Sequence, residues 1–344
     1  MSNSSNKSVT LKEVAEAAGV SVSTASRALS GKAEACRISS ATEQSVREAA
    51  KKLQFSPSLL ARSLRSQQTK LLGVVLPNVA NPFFAAIARE ITLAAEADGY
   101  SVLLTDSQEN GETEARLVEQ LQARQIEGLV VCPVGMDETH LCKLANQKLP
   151  LVLVDRGFDN RDLVTVTSDH QSGARIAMNE LLDAGHRTIG ILQGLPETLP
   201  NRERLSGVQD SLSAAGLDFD PMLIAGHHFD EASGYQAALR LLTTRPEITA
   251  LFAFSNQNAL GALRAAAEMG RAIPDDLSLI AFDDFPFAAY LAAPLTSVSQ
   301  DVSQLGQVAA QLLLEQIRSS VPPEQKQYRI PVQLMRRSSI KNIG

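Results

Sequence analysis

The chain has 344 residues, of which 44% are hydrophobic and 20% charged, and its formal net charge is −6. This length predicts two or three domains. No apolar run reaches the roughly 18 residues of a membrane-spanning helix, and the N-terminus lacks the apolar stretch of a secretory signal. The cysteines Cys36, Cys132 and Cys142 fit neither a CxxC metal pair nor a disulfide framework. We therefore expect a soluble, cytoplasmic protein with no membrane segment and no bound metal.

Charge is distributed unevenly along the chain. Residues 1–66 contain ten Lys or Arg and five Asp or Glu, whereas the remainder contains 22 against 33. Because phosphate neutralisation supplies most non-specific affinity for nucleic acids, a basic head on an acidic body suits DNA binding. Taken alone, the bias also fits ordinary solvated helices.

Residues 10–30 contain two short helical patterns separated by Gly19 and Val20. Apolar residues of the first pattern share one helix face: Leu11, Val14, Ala15 and Ala18. Gly19 suits a left-handed turn after the first helix, and Ser21 can cap the second. The two patterns predict a helix-turn-helix, whose second helix enters the major groove. The alternative is a helical hairpin with no role in DNA binding.

A third helix is predicted after residue 39. Ser40-Ala-Thr-Glu43 has the spacing of a capping box, and a buried stripe follows it: Val46, Ala49, Ala50 and Leu53. Three helices with this stripe predict a small all-α head over residues 9–56.

Residues 57–69 form a short segment that begins with Pro57, a residue suited to the first turn of a helix. Leu60 and Leu64 are four residues apart and can share one face. The segment is either an ordinary linker helix or a hinge that orders on DNA, through which an effector could act.

Short apolar runs alternate with helical patterns from Leu71 onward. The predicted strands include Leu71–Leu76, Ser101–Thr105, Gly128–Cys132, Leu151–Asp155, Thr188–Leu192, Ala250–Phe254 and Leu277–Phe282. This alternation predicts parallel α/β sheets, and two sets of strands predict two lobes with a cleft between them. Ligands of such sheets bind beyond the carboxyl ends of the strands.

Polar and aromatic side chains recur at these strand ends. They include Asn81, Phe83, Phe84, Asp155, Arg156, Arg202, Arg204, Phe229, Ser255, Asn256, Asp283 and Asp284. Aromatic rings stack on C–H faces while carboxylate, amide and guanidinium groups bind hydroxyls, so the pattern predicts a sugar site. Loop solvation or helix capping explains any one of these residues, but their recurrence favours binding.

The head resembles that of the lac-repressor (LacI/GalR) family of transcriptional regulators. The shared pattern is carried by Val14, Ala15, Ala18, Gly19, Val20, Ser21, Thr24, Ser26, Arg27 and Leu29. This resemblance implies that Val22, Ser23 and Arg27 face base edges, with Arg27 reading guanine. It also implies that Thr24 and Ser26 touch phosphates.

The resemblance continues into the hinge and the loop before the third helix. It implies that Ala61 lets two hinge helices approach each other and that Leu64 inserts into the minor groove. The loop Gly31–Ile38 is similar to that of the fructose and sucrose repressor branch, with Cys36 where an aromatic residue is usual there.

The body resembles periplasmic-binding-protein-like regulators and ribose-binding proteins. Nine residues match in type and context: Asn81, Phe83, Phe84, Asp155, Arg156, Arg204, Phe229, Asp283 and Gln300. His170 and Ser255 stand where ribose-binding proteins have asparagines, and all eleven are predicted to bind the effector. Pattern and spacing place an N-lobe at about 70–167 and 301–326, and a C-lobe at about 169–299 and 328–344.

We expect a homodimeric DNA-binding regulator that binds a palindromic operator in double-stranded DNA. The stretch Phe83–Ala97 matches a dimerisation surface of the family, and no heptad tail for tetramerisation precedes Gly344. The predicted regulator is a repressor of carbohydrate-utilisation genes without a cofactor, switched by a sugar. A phosphorylated sugar bound by Arg156 and Arg204 is the alternative effector. An enzyme is a further alternative, but the sequence has no GxSxG, HExxH, P-loop or GxGxxG motif. A solute-binding protein is another, but it would need a secretory signal.

Overall fold

The structure is a computed structural model that describes residues 9–30, 33–55, 68–135, 137–158, 162–319 and 321–344. The chain divides into two compact units, a head that ends at Thr69 and a core that begins at Lys70. Each unit has hydrophobic clusters of its own, so the two are described separately.

The described part of the head contains three helices, α1 (Leu11–Ala17), α2 (Val22–Leu29) and α3 (Ser40–Lys52). A capping box starts α1: the backbone N–H of Glu13 donates to Thr10 Oγ1, and that of Thr10 donates to the Glu13 carboxylate. Gly19 has a φ of 67° in the turn between α1 and α2, which favours a residue without a Cβ. Ser21 accepts from Thr24 N and caps α2, so the predicted roles of Gly19 and Ser21 are confirmed.

The core of the head is made of small apolar side chains from all three helices. Its buried members are Val14, Ala15, Ala25, Ala28, Val46, Ala49 and Ala50. The predicted capping box of α3 is wrong by one residue. Ser39 is the cap and accepts from Thr42 N, whereas Glu43 pairs with Arg47 one turn later. Both Ser39 and Ser40 can cap a helix, and the choice depends on which of them is extended; Ser39 has a ψ of 151°.

The core alternates strands and helices. Its strands are β1 (Leu71–Leu76), β2 (Ser101–Asp106), β3 (Gly128–Val131), β4 (Leu151–Val154), β5 (Thr165–Ser168), β6 (Ile189–Leu192), β7 (Ile224–Ala225), β8 (Ala250–Ala253), β9 (Ser278–Phe282), β10 (Thr296–Gln300), β11 (Gln327–Ile330) and β12 (Val332–Met335). Its helices are α4 (Pro82–Ala97), α5 (Gly111–Ala123), α6 (Thr139–Asn146), α7 (His170–Asp183), α8 (Leu199–Ala214), α9 (Glu231–Thr244), α10 (Asn256–Glu268) and α11 (Val302–Ser319).

Two six-stranded sheets form the two lobes. The N-lobe sheet has the order β11-β5-β4-β3-β1-β2, and every pair of neighbours in it is parallel. The C-lobe sheet has the order β12-β10-β9-β8-β6-β7 and is parallel except that β12 runs antiparallel to β10. The central strands are buried throughout because helices cover both faces of each sheet.

The chain passes between the lobes after β5, after β10 and after β11. Sequence placed the end of the N-lobe near residue 326, but β11 lies in the N-lobe sheet, where Ile330 pairs with Ser168. The third passage is therefore at Pro331, between β11 and β12. Neither of these two strands was predicted, and the proline between them has no N–H to donate to a ladder.

Candidate functional site

The exposed face of α2 carries most of the predicted DNA-contacting residues of the head. Val22 is 45% exposed, and Ser23 and Arg27 are also exposed. Thr24 is half-buried, and its hydroxyl lies 2.8 Å from that of Ser21. Ser26 is buried against the core of the head, which does not favour its predicted phosphate contact. The predicted hinge residues Ala61 and Leu64 lie outside the described residues.

A cavity of about 150 Å³ lies between the lobes at the carboxyl ends of the strands. Its lining consists of Asn78, Asn81, Phe83, Phe84, Glu109, Asp155, Arg156, Leu195, Pro200, Arg204, His228, Phe229, Asp230, Ser255, Asp283 and Gln300. Ten of the eleven residues predicted to bind the effector are in this set, and His170 is the exception. The structure therefore brings together residues that are far apart in the chain.

Helix starts position several of these side chains. Asn81 caps α4 by accepting from Phe83 N, and this places the rings of Phe83 and Phe84 in the first turn. Ser255 caps α10 in the same way by accepting from Asn258 N. Capping and cavity lining are thus combined in Asn81 and Ser255, so neither of the two sequence interpretations excludes the other.

Two buried aspartates occupy equivalent places in the two lobes. Asp155 follows β4 and has a φ of 64°, and Asp283 follows β9 and has a φ of 72°. Both are in the left-handed region, which costs a non-glycine residue free energy. Burial raises the pKa of Asp155 to about 6, although Arg156 and Arg204 oppose the shift. Burial likewise raises the pKa of Asp283, against the effects of Arg204 and Gln300.

Arg156 is held between a carboxylate and two aromatic rings. Its Nη1 and Nη2 donate to the two carboxylate oxygens of Glu109 at 2.6 and 2.7 Å. Its Cζ lies 5.7 Å from the ring centroid of Phe84 and 5.5 Å from that of Phe229. Burial alone would lower the pKa of Arg156, but Glu109 outweighs it and the pKa lies above its usual value. The charge of Arg156 is therefore already paired.

Arg204 projects from α8 and is equally buried. Its Nη1 donates to the backbone carbonyl of Phe254, and Nη2 lies 3.7 Å from Asp283 Oδ1. The guanidinium stacks on Phe282, with Cζ 3.8 Å from the ring centroid. Burial lowers the pKa of Arg204, partly offset by Asp283 and Asp155.

Three buried polar atoms of the lining have no hydrogen-bond partner within the described parts of the chain. They are Asp155 Oδ1 and Gln300 Oε1, which accept, and Arg204 Nε, which donates. Buried polar groups are almost always paired, and a cluster of unpaired ones indicates a place for a ligand or for water. A ligand that completes this set must both donate and accept hydrogen bonds.

Two polar residues that follow the strands have other roles. Asp284 points away from the cavity: its carboxylate accepts from Arg337 Nη1 and Nη2 at 2.7 and 2.9 Å and from Ser297 Oγ. Asn256 Nδ2 reaches across the cleft to Asn81 Oδ1 at 3.4 Å. The first contact anchors the loop after β9, and the second joins the two lobes.

Six lining residues were not predicted: Asn78, Glu109, Leu195, Pro200, His228 and Asp230. Glu109 follows the observed strand β2 by three residues and the predicted one by four, so the rule applied to the other strand ends would have found it. His228 and Asp230 precede α9, and the β7 strand before them is only two residues long and gave no recognisable pattern.

The family profile for bacterial regulatory proteins of the lacI family matches residues 10–58, and that of the periplasmic binding protein-like domain matches residues 178–340. The ribose operon repressor of Halalkalibacterium halodurans is 33% identical over 96% of this chain and 97% of its own length. A lac repressor dimer bound to operator and the anti-inducer ONPF superposes with a TM-score of 0.86, at 27% identity over 97% of this chain and all of the other. A LacI family regulator from Enterococcus faecium with bound ribose gives a TM-score of 0.71, at 25% identity over 80% of this chain and all of the other.

The chain belongs to the LacI family of bacterial transcriptional regulators. It is a DNA-binding regulator with a helix-turn-helix head and a periplasmic-binding-protein-like core that binds a ligand. None of the helices that the structure describes is long and apolar enough to cross a membrane.

Proposed function

We propose that this protein is a cytoplasmic repressor of carbohydrate-utilisation genes and that an unphosphorylated monosaccharide in the cleft controls its affinity for operator. The three unpaired buried atoms Asp155 Oδ1, Gln300 Oε1 and Arg204 Nε carry this proposal. A hydroxyl group both donates and accepts, so a ring with several hydroxyls satisfies all three atoms. The rings of Phe84 and Phe229 supply apolar faces for its C–H groups.

The size of the cavity favours a single ring. A cavity of about 150 Å³ is comparable to those that hold one benzene molecule. A monosaccharide is closer to this size than a disaccharide, which requires the lobes to separate further. The similar proteins include repressors named for the ribose operon and a regulator described with bound ribose, and D-ribose is therefore the first compound to test.

The charges of the lining disfavour the phosphorylated sugar. The lining contains two guanidinium groups, those of Arg156 and Arg204, and four carboxylates, those of Glu109, Asp155, Asp230 and Asp283. Glu109 already binds Arg156 with two hydrogen bonds, and Asp283 lies beside Arg204. A phosphate dianion would have to displace these carboxylates, and it would enter a site with more negative than positive side chains.

Exposed apolar side chains on the N-lobe support a dimer. Leu93 on α4 is 49% exposed, Leu104 on the edge strand β2 is 48% exposed and Val79 is 37% exposed. An exposed edge strand with apolar side chains is a surface that another chain can cover. A two-fold dimer would present two α2 helices to a palindromic operator.

The test is a titration of purified protein with D-ribose, other unphosphorylated monosaccharides, their phosphates and purine bases, followed by calorimetry. We expect one unphosphorylated monosaccharide to bind, to raise the unfolding temperature and to remain chemically unchanged. We also expect this sugar to dissociate the protein from DNA that has been selected from a random pool for binding to the protein. Binding of a sugar phosphate alone would favour the alternative effector, and chemical turnover of the sugar would favour an enzyme. Binding of a purine base alone would contradict the sugar assignment.

A further inference from the structure

The orientation of Arg204 depends on how its two terminal nitrogens are held. Nη1 donates to the carbonyl of Phe254, and Nη2 lies 3.3 Å from Nδ1 of His170 and 3.7 Å from Asp283 Oδ1. Nε is the one nitrogen of this guanidinium without a partner among the described residues. Because the group is planar and rigid, fixing Nη1 and Nη2 also fixes the direction of Nε.

His170 lies behind Arg204 and does not line the cavity. It is the first residue of α7, directly after the passage from the N-lobe to the C-lobe, and it is fully buried. Arginine can only donate, so Nδ1 must accept, which requires the neutral imidazole with its proton on Nε2. Burial and the neighbouring charge of Arg204 favour this form, because both hold the pKa of His170 well below its usual value.

We infer that His170 is a positioning residue that, as an acceptor for Nη2, orients Nε of Arg204 toward the bound effector. The identity of that effector rests on the proposed function. The orientation of Arg204, however, is a property of the chain without ligand and can be measured separately.

A matched pair of substitutions separates the acceptor role from simple packing. His170→Asn keeps an acceptor at the position of Nδ1, because the amide oxygen is attached to Cγ as Nδ1 is. His170→Leu keeps a branched side chain at Cγ but has no polar atom. If only packing matters, the leucine variant resembles wild type; if the acceptor matters, the asparagine variant does.

The ligand-free test is nuclear magnetic resonance of the full chain with 15N-labelled arginine and histidine. The Arg204 Nε–H signal is identified by its loss in Arg204→Lys, and the His170 signals by their loss in His170→Asn. We expect a sharp Arg204 signal in wild type and His170→Asn, broadening in His170→Leu, and the Nε2–H tautomer of His170. An imidazolium, an Nδ1–H tautomer or an unchanged Arg204 signal in His170→Leu would overturn the inference.

The functional test is calorimetric titration of the same proteins with D-ribose. We expect the affinity of His170→Leu to fall by about tenfold or more, and that of His170→Asn to stay within about threefold of wild type. Equal affinity in wild type and His170→Leu, or an equal loss in both variants, would overturn the acceptor role. If wild type does not bind D-ribose, that choice of effector fails, and the resonance experiment alone decides the role of His170.

Discussion

Asp155 and Asp283, which we propose bind the sugar, lie where a carboxylate costs stability. Each is buried, each has a positive φ and the pKa of each is raised. A structure selected for stability alone would favour an asparagine or a glycine at such positions, since both adopt left-handed backbone more readily. Strained and desolvated residues of this kind cluster at functional sites.

The substitution Asp155→Asn should stabilise the ligand-free protein at neutral pH. The pKa of Asp155 is higher in the folded than in the unfolded chain, so folding takes up a proton between about pH 4 and pH 6. The destabilisation by the carboxylate grows over this range and reaches its full size above pH 6. We expect the free energy of unfolding to rise by about 1–3 kcal/mol at pH 7.5, while sugar binding weakens. The measurement is urea unfolding of both proteins between pH 7.5 and pH 5.

The difference between the two proteins should shrink as the pH falls through about 6, where the wild-type carboxyl takes up its proton. The control is Asp137→Asn, because hydrogen bonds from Thr139 lower the pKa of this exposed carboxyl. The change in the free energy of unfolding should therefore have the opposite sign to that of Asp155→Asn. A stability difference for Asp155→Asn that does not change with pH would contradict the raised pKa.

Arg27 should determine which DNA sequences the head recognises. Its side chain is exposed on α2, and a guanidinium that binds a guanine with two hydrogen bonds contributes about 1–3 kcal/mol of discrimination. Arg27→Ala should reduce the ratio of specific to non-specific affinity by about tenfold or more. Fluorescence anisotropy with selected and scrambled DNA measures this ratio. The control is Arg47→Ala, whose side chain is paired with Glu43 on α3; an equal loss there would contradict base reading by Arg27.

At the scale of elements, glycines set the distance between the helices that cover the C-lobe sheet. A Cβ at Gly261 on α10 would lie 2.3 Å from the backbone oxygen of Glu231 and the backbone nitrogen of Tyr235 on α9. A Cβ at Gly234 on α9 would lie 2.5 Å from Asn258 on α10. The two helices therefore approach closely at a pair of glycines, and the backbone cannot move away without disturbing both.

Gly261→Ala should destabilise the core because the clash is with backbone atoms. Overpacking of this kind costs about 1–3 kcal/mol, and chemical denaturation measures it. The control is Gly111→Ala at the start of α5, where the new Cβ would meet the Val134 carbonyl oxygen at an ordinary 3.5 Å. Equal stability of the two variants would show that the contact between α9 and α10 relaxes more easily than the distances indicate.

At the scale of the whole molecule, regulation requires that the sugar bind one arrangement of the lobes better than another. Hydrogen-bonded side chains are among the contacts that join the lobes around the cavity. One is the Asn81–Asn256 contact, and another is the ion pair between Arg329 on β11 and Glu203 on α8, in which Nη1 donates to Oε2 at 2.7 Å and Nη2 donates to Oε1 at 2.5 Å. Glu203 is adjacent to the cavity residue Arg204 in the chain, so the ion pair connects lobe closure to the binding site.

Removing this ion pair should favour the open cleft. Glu203→Gln should weaken sugar binding by about twofold to fivefold, because a half-exposed pair contributes roughly 1 kcal/mol or less. The exchanged pair Glu203→Arg with Arg329→Glu should restore most of the affinity. Calorimetry measures binding and small-angle scattering measures closure for wild type and the two variants. A loss of affinity in the exchanged pair equal to that in Glu203→Gln would contradict an electrostatic contact.

Local patterns were sufficient for much of the architecture. Helix α1, the left-handed turn at Gly19 and the strand Leu71–Leu76 depend on hydrogen bonds and periodicity within a few residues, and the predicted and observed elements agree. The strands β5 and β10 were missed because they are short and contain threonine and serine, so no apolar run marks them. The strands β11 and β12 were also missed, because only Pro331 marks their boundary in the sequence.

By itself, the sequence determined the family, the two-part organisation and most residues of the cavity, because strand ends are visible in the order of apolar and polar residues. The tertiary structure alone decided how those residues are used. Asp283 faces the cavity while Asp284 binds Arg337, and Ser26 turns into the core of the head. His170 supports Arg204 from behind across 34 positions of the chain. Pairing, burial and the leftover hydrogen-bonding atoms depend on neighbours that are distant in the chain, and no local pattern encodes them.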